Sequence, residues 1–141
     1  MRSLSVIYFW LQLPLGIWKK SVLLGLACFF VYFGIDHFIS PQFYLAIMPP
    51  CFPLHAEAVY ISGFFEILGG ICLLIPRLRK ISGWGLMALL ICVYPANIYM
   101  AITPEAFPEI PLSFLYLRLA LQFLFFYWAY VVTRPSYIHT N

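Results

Sequence analysis

The chain has 141 residues, of which 64% are hydrophobic, 20% aromatic and only 9% charged, with a formal net charge of +3. Soluble domains carry about 25% charged residues, so this composition excludes a water-soluble globule, and its aromatic content excludes a disordered regulator. The 4 cysteines are too few for a disulfide-stapled secreted domain, and the bases form no long patch of the kind that binds nucleic acid; what remains is a small integral membrane protein of one domain's length.

The first twenty residues, MRSLSVIYFWLQLPLGIWKK, have the charge and apolar length of a signal peptide but no small-x-small cleavage site. They are also short for a membrane span. The preferred reading is an interfacial helix over 1–20 with Trp10 and Trp18 at headgroup level. Leu26-Ala27-Cys28 hints at a lipoprotein box, but the apolar run continues past it and lipidation is set aside. Residues 21–134 form the membrane domain and 135–141 a short tail.

Four apolar runs follow, each near the ~20 residues that cross a bilayer as a helix. They are Ser21 to Ile39, Ala56 to Pro76, Ile81 to Ile102 and Leu112 to Thr133. None alternates as a strand would, and in hydrocarbon a helix closes its own backbone hydrogen bonds. The predicted fold is therefore all-α, a four-helix transmembrane bundle. The prolines cluster in or beside the connections, where a missing N–H costs nothing. Pro95 is an exception; it should kink the third helix and free the carbonyl of Ile91.

Lys19 and Lys20 precede the first span. Arg77, Arg79 and Lys80 fill the connection between the second and third, and Arg134 follows the fourth. The connections from Ser40 to His55 and from Thr103 to Pro111 hold neither Lys nor Arg. The positive-inside rule then places both termini in the cytoplasm. The first of these outer connections, SPQFYLAIMPPCFPLH, is too apolar for a water-exposed loop. It should lie on the bilayer surface or fold back as a lid over the bundle.

Polar side chains inside hydrocarbon are costly, and they persist where they have a partner or a task. Each span carries at least one: Asp36 and His37, then Glu66, then Asn97, then Arg118 and Gln122. Counted at 1.5 Å per residue from the outer ends, Glu66 and Gln122 lie roughly 13 to 15 Å deep, Arg118 roughly 9 Å, and the other three roughly 3 to 8 Å. All six share the outer half of the bilayer. Gly63, Glu66 and Gly70 share one helix face, and small residues there admit a close neighbour. His37 should point inward with Gly34 one turn away, leaving Asp36 to serve Arg118 or the outer interface. Arg118 stays charged and needs an anion; Glu66 is the expected partner, with Gln122 and Asn97 completing the hydrogen bonds. A binding site for a polar head on an apolar tail, such as a quinone or a lipid, fits this cluster. The alternative is that the polar groups only fix helix register.

Other chemistries are weaker. His37 and His55 could ligate haem, but His55 is more simply the start of the second helix, so haem is not expected. No HxxxH, CxxC or ExxH spacing points to a metal or to a dithiol reaction. Cys28, Cys72 and Cys92 fall within spans, where they should pack as small apolar residues; Cys51 lies in the outer connection, where it could oxidise or pair between chains.

Four stretches taken together resemble the DoxX-like family of small four-helix membrane proteins. They are Phe33-Gly34-Ile35-Asp36-His37-Phe38 with Pro41; Ser62-Gly63-Phe64-Phe65-Glu66-Ile67-Leu68-Gly69-Gly70 with Leu73-Leu74-Ile75-Pro76; Pro95-Ala96-Asn97-Ile98-Tyr99-Met100; and Arg118-Leu119-Ala120-Leu121-Gln122. The resemblance implies a four-helix bundle and links to thiosulfate:quinone oxidoreduction, oxidative-stress systems or membrane-protein assembly. It carries over no catalytic residue, although its matched positions His37, Glu66, Asn97, Arg118 and Gln122 coincide with the polar cluster. The expectation is a quinone- or lipid-binding subunit of a redox system in the bacterial cytoplasmic membrane. A non-enzymatic assembly or scaffold protein is the alternative, with a solute carrier acting as a homo-oligomer third.

Overall fold

The computed structural model describes residues 16–134. Most of the expected interfacial segment, Trp10 included, and the tail 135–141 lie outside the described residues. The elements are α1 (Ile17–Ile39), α2 (Pro41–Ala46), α3 (His55–Leu74), α4 (Pro76–Ile102), a 3-10 turn (Pro104–Ala106) and α5 (Leu112–Val132). Four of them, α1, α3, α4 and α5, are long and apolar enough to cross a membrane. Large side chains such as Phe64, Phe123 and Tyr127 face outward, as lipid-facing residues of a bundle do. The protein is a multi-pass helical membrane bundle.

The helices form a ring in which α1 packs on α3, α3 on α4 and α4 on α5, while α5 and α1 meet only sparsely. The α1–α3 seam is tight because both backbones carry glycine at the crossing. A Cβ on Gly34 would fall 2.8 Å from the Gly63 carbonyl oxygen, and one on Gly63 would fall 2.6 Å from the Cβ of His37. The seam therefore fixes His37 directly against the Glu66-bearing helix.

Two boundaries differ from the sequence reading. The first span begins at Ile17, so Trp18, Lys19 and Lys20 belong to α1. The basic connection expected between the second and third spans is helix; only Ile75, in extended conformation, separates α3 from α4, and Pro76 occupies the first turn of α4, where it costs no hydrogen bond. Arg79 consequently turns inward. It is 0% exposed, and its guanidinium donates to the Leu73 carbonyl at 2.8 Å and the Leu74 carbonyl at 3.4 Å. A cation thus satisfies the carbonyls that the end of α3 leaves open. Beside it Ser82 donates to the Gly69 carbonyl at 2.6 Å. Cys28 and Cys92 are exposed, unlike the packed role expected of them.

At this Ile75 end the core is built from Leu23, Leu26, Phe30, Leu73, Leu86, Leu90, Ala129 and Val132. At the opposite end the connection after α1 folds back over the bundle as a lid. Its α2 helix and Ile47 pack with Met100, Phe107 and Leu115 in a second cluster. The return into α3 passes through Leu54 in the left-handed region, at φ 57°. Between the two clusters the bundle is hollow.

Candidate functional site

The hollow is a cavity of about 610 Å³, within the ~300–1,000 Å³ typical of small-molecule sites. Phe30 and Leu90 floor it, the lid residues Phe43, Tyr44 and Ile47 cover it, and all of Asp36, His37, Glu66, Asn97, Arg118 and Gln122 line it. The six polar residues picked out by depth therefore reach one space. They divide into two groups on opposite sides of it.

On the α4–α5 side they form a directed chain. Arg118 Nη2 donates to Asn97 Oδ1 at 3.0 Å, Asn97 Nδ2 donates to Gln122 Oε1 at 2.7 Å, and Gln122 Nε2 donates to the Leu90 carbonyl at 2.7 Å. A carbonyl can only accept and a guanidinium can only donate, so the two ends fix the orientation of both amides. The carbonyl that takes a side-chain donor is that of Leu90, one residue before the Ile91 carbonyl expected to be freed by Pro95. Helix α4 itself is continuous through Pro95.

On the α1–α3 side the polar groups are poorly matched. His37 Nδ1 donates to the Phe33 carbonyl at 2.8 Å, which commits that nitrogen. Glu66 Oε2 lies 3.6 Å from it, beyond hydrogen-bond range. Glu66 is 9% exposed, and its Oε2 has no hydrogen-bond partner. Arg118 Nε, across the cavity, likewise has none.

The expected Glu66–Arg118 pair is therefore corrected. Among the described residues, no carboxylate lies within salt-bridge range of Arg118. The physical reason is the ring order: α3 and α5 are not neighbours, and the cavity separates them. Arg118 instead takes an amide partner and stands over the Phe43 ring at 5.6 Å. Asp36 does not serve Arg118 either. It accepts from the Tyr44 hydroxyl at 2.7 Å and the Ser40 hydroxyl at 3.2 Å.

Tyr44 is the main residue that sequence reasoning missed. Its ring stacks on His37 with centroids 3.6 Å apart. Burial, followed by the hydrogen bond to Asp36, pushes its phenol well above the ordinary tyrosine range, and both Glu66 and Arg118 act on it electrostatically. The haem alternative finds no support in the geometry. His55 donates from Nε2 to the Pro49 carbonyl at 3.0 Å and does not line the cavity. Among the described residues no group of three or more His, Cys, Asp or Glu could hold a metal ion.

Fold and site together define a class: a multi-pass α-helical membrane protein with a lidded, largely apolar cavity inside the bundle that carries a cluster of polar side chains. Residues 26–133 match the family described as Domain of unknown function (DUF8561), and the chain belongs to that family. No curated protein and no solved structure matches the chain. The matched span contains α3, α4 and α5 whole, α1 from Leu26 onward, and every polar residue of the cavity.

Proposed function

We propose that this protein is a DoxX-like quinone- or lipid-binding subunit of a membrane redox system in the bacterial cytoplasmic membrane, with both termini inside. The observation that carries the reading is the separation of Glu66 from Arg118. Two groups that would satisfy each other are held apart across an apolar cavity, and each keeps a buried polar atom without a partner. Buried unsatisfied groups cost about 1–3 kcal/mol each, and an amphiphile with a polar head offers what both lack: an acceptor for Arg118 and a polar partner for Glu66. The aromatic floor and lid suit a ring or chain attached to that head. Extraction of the protein purified from native membranes should release a quinone or a bound lipid in stoichiometric amount. Release of neither removes the reading. Cys51, exposed beside the lid, tests the orientation: a membrane-impermeant maleimide should label it from the periplasmic side.

A specific observation also favours a scaffold role. The Arg118–Asn97–Gln122–Leu90 chain ties α4 to α5 without any ligand. Under that reading the Asn97→Leu variant, which breaks the chain at its middle, loses the folded bundle; under the binding reading it keeps the bundle and loses the ligand.

A further inference from the structure

The seams of the ring are closed by different means. Close glycine contact seals α1 on α3, and the amide chain seals α4 on α5. Helices α1 and α5 touch chiefly near the Ile75 end. There Trp128 donates to the Val22 carbonyl at 2.8 Å and Phe125 stacks on Phe29 with centroids 4.0 Å apart. Further toward the lid, among the described residues, no hydrogen bond, ion pair or ring contact joins these two helices. The stretch from Phe29 to Ile39 is about 15 Å long at the helical rise. Along it the rims are Phe33 on α1, 39% exposed, and Phe114 on α5, 46% exposed. Both also line the cavity, so each ring borders the cavity and the outside of the bundle at once. Arg118 lies one turn from Phe114 on the same helix.

We propose that the ligand reaches the cavity from the bilayer through the seam between α1 and α5, and that it is a single-tailed amphiphile whose head rests between Glu66 and Arg118 while its tail stays in that seam between Phe33 and Phe114. This rests on the binding reading above and adds a route and a tail position. A dry aromatic rim admits an alkyl chain without desolvating anything, whereas the way in past the lid crosses the Tyr44–Asp36 hydrogen bond and the Tyr44–His37 stack. The competing opening is the α3–α4 side, where Ile61 and Cys92 also line the cavity while exposed.

The test uses the wild-type full chain in nanodiscs and a decyl hydroquinone carrying a diazirine at the end of its tail. After photolysis, peptide mass spectrometry locates the adducts with and without unlabelled decyl hydroquinone. Competitor at ten times its Kd should lower specific labelling about tenfold. The expected result is competable adducts on α1 and α5 around Phe33 and Phe114. Competable adducts on α3 and α4 around Ile61 and Cys92, or on the lid, overturn the route while leaving binding intact. Labelling that competitor reduces nowhere excludes a quinone as the occupant and overturns the route, while release of bound lipid on extraction still decides the lipid form of the binding reading.

Discussion

Replacing Glu66 with leucine separates a binding residue from a structural one. Glu66 is buried, and its Oε2 has no donor; the neighbouring His37 Nδ1 already serves Phe33. An unsatisfied buried polar atom costs about 1–3 kcal/mol, and replacing poorly matched buried polar groups by apolar ones of similar volume is often stabilising. Glu66→Leu should therefore raise bundle stability by about 1–3 kcal/mol, read by SDS-induced unfolding in mixed micelles, while abolishing ligand retention. A companion cycle with Arg118→Leu should show a coupling below about 1 kcal/mol, since among the described residues no salt bridge joins the two side chains and they meet only through the shared cavity. A Glu66→Leu bundle less stable than wild type, or a coupling above about 1 kcal/mol, would refute the picture of two groups kept apart for a third.

Three further outcomes follow from other parts of the molecule. Asn97→Leu and Gln122→Leu should show a coupling of about 0.6 kcal/mol, and at most about 1.7, as interhelical hydrogen bonds in membranes do; a double-mutant cycle in the same unfolding assay measures it. Arg79→Lys should destabilise by about 1.5–3 kcal/mol, because an ammonium cannot reproduce the guanidinium fork on the carbonyls of α3; retention of wild-type stability would show the cap to be dispensable. Because the Tyr44 phenol is raised in the folded state, its contribution to stability is fully present below the ordinary tyrosine pKa of about 10 and is lost as pH rises toward its folded value. Stability followed through an alkaline titration should thus fall more steeply above about pH 10 in wild type than in Tyr44→Phe.

The spans and the six polar residues were legible because hydrocarbon makes both conspicuous: twenty apolar residues in a row, and a charge or amide inside them. What the helical rise does not supply is azimuth. Glu66 and Arg118 lie at compatible depths, yet only the ring order decides that they face each other across a space. Arg79 was misread because basic residues near Pro76 resemble a loop. The stripe Arg79, Ser82, Gly83, Leu86, Met87 and Leu90, all buried, repeats at three and four residues and could have placed Arg79 on the inner face of a helix. Tyr44 and Phe43 left no such trace. An aromatic in an apolar connection looks the same whether it meets lipid or roofs a cavity.

The direction of the amide chain leads to the most discriminating substitution. Gln122 gives its N–H to the Leu90 carbonyl, so its oxygen must accept; Asn97 must then give its N–H to Gln122 and accept from Arg118. Asn97→Asp keeps the atom that faces Arg118 and changes the one that faces Gln122. The donor to Gln122 is lost and two acceptor oxygens face each other in its place, at the cost of an unsatisfied buried polar group, about 1–3 kcal/mol. In exchange a carboxylate stands 3.0 Å from the guanidinium position, and charge-assisted hydrogen bonds are roughly twice as strong as neutral ones. The bundle should therefore survive. The site should not, because Arg118 would then carry its counter-ion permanently and have no unneutralised charge to offer an acceptor on the ligand. Loss of bound quinone or lipid from a folded Asn97→Asp protein is the expected result, measured by extraction and by thermal unfolding side by side. Undiminished ligand would mean that Arg118 does not hold the head, and the α5 side of the cavity would then be structural only.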